Sequence, residues 1–317
     1  MVARPSPIAD ASTHESRTWP FFVAALGFTW LLQLPAVLAK FGIIAGSVDR
    51  FMLPALLGGF GPLLAALFAA RIERSKPGAW SIFQNLRTPG VGAGWYLIAL
   101  GTFTAIYVAA VAIYKIAGGS EPLPWLYPPE NAQHVSALLV MPFVEEPAWR
   151  GFALPRLQQR FGALEASLRL GILWALWHTA MFILQGTTAF MFVVGMLNVC
   201  AGSVVFSWLY NHTRGSLAIA LFAHVGVHLN NPFHALLTRP TSIVVYTLAL
   251  VVVAVGLVIV DSKIWRPRDL ASANGRRIHA RASSDASTTV RSVASEATTD
   301  QWQALRSPSV DHDRSCE

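Results

Sequence analysis

Glu145-Glu146-Pro147-Ala148-Trp149-Arg150-Gly151 lies inside an otherwise apolar run, Val135 to Leu157, and this mixture decides how the chain must be read. An ionisable side chain at the centre of a bilayer costs roughly 2.5 to 3.5 kcal/mol on insertion scales, so three within six positions would expel a helix from lipid unless they face protein, water or one another. Helical spacing offers such a solution. Glu146 and Arg150 are an i,i+4 pair on one face, while Glu145 is turned about 100° away and is free for another partner. The cluster therefore marks either a functional site or a buried Glu-Arg clamp.

Composition supports a membrane setting. Of 317 residues, 54% are hydrophobic and 13% charged, and the mean hydropathy is +0.47; a soluble domain carries about twice that charge fraction. The formal net charge of +7 does not point to nucleic acid, because the basic residues sit in short loops between apolar runs and in the C-terminal tail, with no basic face interleaved with aromatics. Cys200 and Cys316 are the only cysteines, too few for a disulfide framework or a cysteine zinc motif.

Outward from the cluster, the hydropathy pattern predicts an all-α polytopic membrane protein of about eight transmembrane helices. A polar arm (1–18) precedes spans at Trp19–Ala39, Phe51–Ala70, Trp95–Tyr114, Val135–Leu157, Ser167–Thr187, Thr188–Tyr210, Ser216–Leu237 and Ser242–Val260. The eight-helix domain thus occupies 19–261, with a core at 135–235. The Glu121-Pro-Leu-Pro-Trp-Leu-Tyr-Pro-Pro-Glu130 loop has the proline and aromatic content of an interfacial segment and is a candidate gate. Residues 262–317 are rich in Ser, Thr, Ala, Asp and Arg, a composition that predicts a disordered tail. With the N-terminus inside, the inner segments hold Arg4, Arg17, Arg71, Arg74, Lys76, Arg87, Arg156, Arg160 and Arg214, against Lys40, Arg50, Lys115 and Arg239 outside. Both termini are therefore expected to be cytoplasmic.

Three of these spans carry chemistry near their middles: Glu145 in the fourth, His178 in the fifth and His224 in the seventh. One carboxylate and two imidazoles can hold a divalent ion such as zinc, lowering the pKa of its water. Alternatively Glu145 and His178 polarise a water directly while His224 stabilises an oxyanion. No HExxH helix is present to favour the metal. Trp174, one turn before His178, is placed to pack on its ring.

The first stretch resembles the EExxxRG signature of the CAAX-protease and bacteriocin-processing (CPBP, or Abi) intramembrane endopeptidases, relatives of the type II CAAX prenyl endopeptidases. That resemblance implies two further motifs, FxxxH and HxxxN. Here they read Trp174-Ala-Leu-Trp-His178, with Trp for Phe, and His224-Val-Gly-Val-His228, with His for Asn. The resemblance implies peptide hydrolysis near the membrane surface, on a prenylated CAAX protein or a peptide precursor. It assigns Glu145 and His178 to water activation, Glu146 and Arg150 to support, and His224 to a metal or oxyanion. His228 stands where an amide is usual, and Asn230 or Asn231 could supply one instead. Glu145, His178 and His224 would be the ligands if a metal is bound. A proton- or ion-coupled transporter and an idle membrane scaffold are the competing classes. Against the first, no inverted repeat of broken helices is evident.

Overall fold

The computed structural model describes residues 7–72, 78–235 and 237–265, with backbone only for 7–17. Arg74, Lys76, Cys316 and the tail beyond 265 lie outside the described residues.

Every described element is helical, as the apolar runs require. In chain order these are α1 (Pro7–Lys40), α2 (Met52–Gly58), α3 (Gly61–Ile72), α4 (Ala93–Ile116), α5 (Ala132–Glu146), a π-helical segment (Pro147–Ala153), α6 (Leu154–Phe161), α7 (Ala163–Trp177), α8 (Thr179–Leu184), α9 (Ala189–His212), α10 (Leu217–Leu229), α11 (Pro240–Val260) and α12 (Ser262–Trp265). Short 3-10 turns stand at Val48–Phe51, Ala79–Phe83 and Pro232–Ala235. The first helix begins at Pro7, inside the stretch expected as an arm, and α12 occupies the first four residues assigned above to the tail.

Among the described residues, five helical stretches are long and apolar enough to cross a membrane: Thr18–Lys40, Val48–Ile72, Ala93–Ile116, Ala189–His212 and Pro240–Val260. They match the first, second, third, sixth and eighth expected spans. The other three are the spans that carry Glu145, His178 and His224, and each is interrupted. The fourth changes winding at Pro147. The fifth breaks at His178, which ends α7 and starts α8. The seventh stops at Asn230, leaving a helix of 13 residues, about 20 Å long at 1.5 Å per residue. Irregular backbone at membrane depth is tolerated where protein buries it, and here the breaks fall beside Glu146, at His178 and at Asn230.

Proline explains the first interruption. Pro147 has no N–H to donate and crowds the preceding turn, and the chain relaxes into i→i+5 bonding, so that the N–H of Leu154 reaches the carbonyl of Trp149. Gly151 lies where this widened segment meets the backbone at Ile82; a Cβ there would stand 2.3 Å from the Ile82 carbonyl oxygen. Gly226 does the same for α10, bringing it against the Leu100 carbonyl of α4.

α1 closes the structure around the cluster. Phe21 and Phe22 pack on Trp149, and Thr29 Oγ1 donates to the Gly58 carbonyl at 2.7 Å while accepting from Trp177 Nε1 at 2.9 Å. On the far side α11 buries Ile243, Tyr246, Thr247, Leu250 and Ala254 and leaves Leu248, Val252, Val255 and Ile259 exposed. One of its faces is thus inside the protein and the other is free for hydrocarbon.

Candidate active site

The helix that ends at Glu146 delivers two adjacent carboxylates into the interior. Glu145 is 3% exposed, and Glu146 and Arg150 are fully buried. Arg150 Nη1 donates to Glu146 Oε1 at 2.9 Å, so the i,i+4 pair expected from spacing forms although the helix is π-wound beneath it. The flat guanidinium also lies against two rings that meet at a right angle, with its carbon 4.3 Å from the Trp174 centroid and 4.2 Å from that of Phe206. Its Nε and Nη2 find no acceptor among the described residues. Aromatic faces take their place.

Glu146 has a second partner. His224 Nδ1 lies 2.7 Å from the same Oε1, so one carboxylate oxygen joins the π segment to α10. The other nitrogen of His224, Nε2, stands 3.9 Å from Glu145 Oε1. His224 is 4% exposed and stacks on His228, with centroids 5.2 Å apart and planes at 10°. His228 Nδ1 has no hydrogen-bond partner among the described residues.

Glu145 Oε2 is held by two indoles. Trp174 Nε1 donates to it at 2.6 Å and Trp149 Nε1 at 3.4 Å. Trp174 also offers its backbone carbonyl to His178 Nδ1 at 2.8 Å. This bond makes Nδ1 the protonated nitrogen and leaves Nε2 as an acceptor. Glu145 and His224 are electrostatic neighbours of the His178 ring. The Trp174 ring meets His178 edge-on at 5.7 Å, rather than lying flat over it, and meets His224 at 6.1 Å.

The structure thus gathers Glu145, Arg150, His178 and His224 around Trp174, with Glu146 and His228 joined to the group through His224. It moves Asn230 elsewhere. That buried side chain accepts from the backbone N–H of Tyr127 at 2.6 Å, and the N–H of Asn231 reaches the Tyr127 carbonyl at 3.1 Å. Both asparagines thereby tie the 121–130 loop to the end of α10. Tyr107 and Arg239 add bonds to the Pro124 and Pro122 carbonyls, so the candidate gate is anchored at several points. Sequence reasoning missed Trp149 and Phe206. Trp149 is i+4 from Glu145, a spacing that could have revealed it; nothing marks Phe206 among the other phenylalanines.

Of the three candidate zinc ligands, Glu145 and His224 come near the spacing that donors to a single ion have. Metal donors stand about 2.0 to 2.2 Å from one ion, and so about 3.4 Å from each other in a tetrahedron; Glu145 Oε1 and His224 Nε2 are 3.9 Å apart, and the remaining oxygen of Glu145 is occupied by indole N–H groups. No group of three or more His, Cys, Asp or Glu among the described residues is arranged to hold a metal.

Paired buried carboxylates and two imidazoles, one of them at a helix break, thus share the interior of a polytopic helical membrane protein. Residues 129–230 match the family model described as Rce1-like, type II CAAX prenyl endopeptidase; the match runs from the loop before α5 to the cap of α10 and so contains the whole site. The chain is 28% identical over 136 residues to a CAAX prenyl protease 2 of Methanococcus maripaludis, an alignment covering 40% of this chain and 49% of that protein. It spans about half the length of the curated relative it matches. Both comparisons bear out the resemblance to the CPBP family, and residues 129–230 are similar to an Rce1-like domain.

Proposed function

We propose that this protein is an intramembrane endopeptidase that hydrolyses a peptide bond near the membrane surface of a CAAX-type or other membrane-associated substrate. The observation that carries the proposal is the buried Glu145 carboxylate, held by indole N–H groups at Oε2 while Oε1 faces His224 Nε2 at 3.9 Å.

Glu145 is the general base. With His178 Nε2 as a second acceptor it takes a proton from water, the oxygen attacks the scissile carbonyl, and the proton passes on to the departing amine. His224 donates toward the developing oxyanion through Nε2, a role the Glu146 carboxylate at Nδ1 supports by stabilising the imidazolium. Arg150 neutralises Glu146. The route is written on the chain's own residues, without a metal. The counts of Lys and Arg put both termini in the cytoplasm.

The test is cleavage of a fluorogenic farnesylated CAAX peptide by detergent-purified full-length protein and by its Glu145→Gln variant. Turnover is expected to fall by at least about 100-fold, the lower range for general acid-base assistance, with the thermal midpoint unchanged. Treatment with 1,10-phenanthroline is expected to leave wild-type turnover intact. Full cleavage by folded Glu145→Gln would overturn the proposal and make ion transport the next measurement, and a chelator loss reversed by zinc would overturn the metal-free route.

A further inference from the structure

One side chain in this site does more than its place in the motif demands. Trp174 stands where the resembling signature has Phe. A phenyl ring could supply the aromatic face over Arg150 and the edge contacts to His178 and His224, and any residue would supply the backbone carbonyl that receives His178 Nδ1. Only the indole adds an N–H, and that N–H donates to Glu145 Oε2 at 2.6 Å, the shortest hydrogen bond made to the carboxylate. Trp149 donates to the same oxygen at a longer 3.4 Å. Both rings are nearly inaccessible, at 6% and 0% exposure.

We infer that Trp174 is a positioning residue for Glu145, its indole N–H selecting Oε1 as the oxygen that meets water; the inference rests on the endopeptidase reading above. A carboxylate is symmetric and turns about its terminal bond over a broad range. Pinning Oε2 removes that freedom. The other oxygen is then left on the side of His224 Nε2, where a water shared with His178 can be reached. A single residue on α7 thereby sets the base through its side chain and the tautomer of His178 through its carbonyl. The packed rings around it, Phe206 at 5.7 Å among them, keep the indole from swinging out.

The decisive variant is Trp174→Phe, which keeps an aromatic ring and removes the donor. In the full-length protein kcat on the farnesylated peptide should fall about 10- to 100-fold, the worth of one hydrogen bond to a charged group. KM should stay within about twofold, since the interaction is aimed at the reacting centre and not at substrate binding. A purely structural role would instead lower the thermal midpoint and leave the kcat of the folded fraction unchanged. Trp149→Phe, which removes the longer bond, should have the smaller effect on kcat.

A second readout avoids activity and the folding of Trp174→Phe. In protein carrying 15N-indole tryptophan, one indole N–H proton should resonate well downfield of the rest, and Glu145→Gln should move it upfield. Absence of any indole resonance that responds to Glu145→Gln would overturn the bond. An unchanged kcat in folded Trp174→Phe would overturn the positioning role while leaving the protease reading in place. A wild-type chain that cleaves no peptide would sink the endopeptidase reading, and with it the role of Trp174, whatever the resonance shows.

Discussion

Glu146 Oε1 accepts from Arg150 Nη1 at 2.9 Å and from His224 Nδ1 at 2.7 Å, so a single buried oxygen balances one permanent cation and orients one imidazole. The residue that spacing pairs with Arg150 alone is also the joint between the π segment and α10.

Glu146→Gln is therefore expected to damage both stability and rate. It leaves the Arg150 charge buried without its counter-charge, and breaking a buried pair from one side costs about 3 to 5 kcal/mol. Thermal unfolding in detergent should show the loss. Pairing it with Arg150→Met, which removes the stranded charge, should recover part of the stability and none of the turnover, because His224 still lacks its anionic partner. Full recovery of turnover in the double variant would contradict the joint.

Glu145 and His178 are expected to act on one water, and groups that act as a unit are not additive. His178→Ala should lower kcat by about as much as Glu145→Gln, by at least about 100-fold, and the double variant should be little worse than either. Multiplication of the two losses in single-turnover measurements would separate their roles.

His228 stacks on His224, but the orientation of His224 is already fixed from its other side by Glu146. His228→Asn, which restores the residue usual in the motif, should keep turnover within about tenfold of wild type, about 1.4 kcal/mol of barrier. A collapse comparable to that of Glu145→Gln would give the His228 ring a direct part in the chemistry.

Asn230 holds the 121–130 loop by one short bond to the Tyr127 N–H. Asn230→Ala leaves that buried donor unpaired, at about 1 to 3 kcal/mol. The loop should become the first site of cleavage in limited proteolysis of the variant. An unchanged digestion pattern would show that Tyr107 and Arg239 suffice to anchor it.

Topology is testable without any assay of the site. Arg239, at the start of α11, donates to the Pro122 carbonyl in the loop that follows α4, and α11 then runs 21 residues to Val260, about 31 Å at 1.5 Å per residue. Reporter fusions at Gly118 and after Val260 should fall on opposite sides of the membrane. Signals from the same side would reject that crossing.

The uninterrupted spans were legible because nothing in them competes with hydropathy: α1, α4, α9 and α11 end within a few residues of the expected limits, apart from the start of α1. The site residues were legible because ionisable groups in apolar runs need partners. The breaks were harder to see. Pro142, Pro147 and Pro155 all lie in the fourth run, yet proline states only that a bond is lost and not whether the chain will kink or widen. The turn at His178 has no glycine or proline to announce it. The roles of Trp149 and Phe206 depend on which helix faces which, and pairing of this kind is not written in any local pattern.

The widened turn after Glu146 has a consequence for insertions and deletions. A segment that closes its bonds five residues back, as Leu154 does to Trp149, accommodates one more residue per turn than an α-helix does. Removing any one residue between Pro147 and Ala153 would let the chain return to ordinary winding. Because the widened segment holds one residue more for about the same rotation, the flanking helices would keep nearly the same phase; rewinding at full length would instead turn everything on the N-terminal side by about 100° relative to α6, carrying Glu145 away from α7 and Glu146 away from α10. The winding of this stretch, more than its length, therefore acts as an index that sets the angular phase between two halves of a single rod.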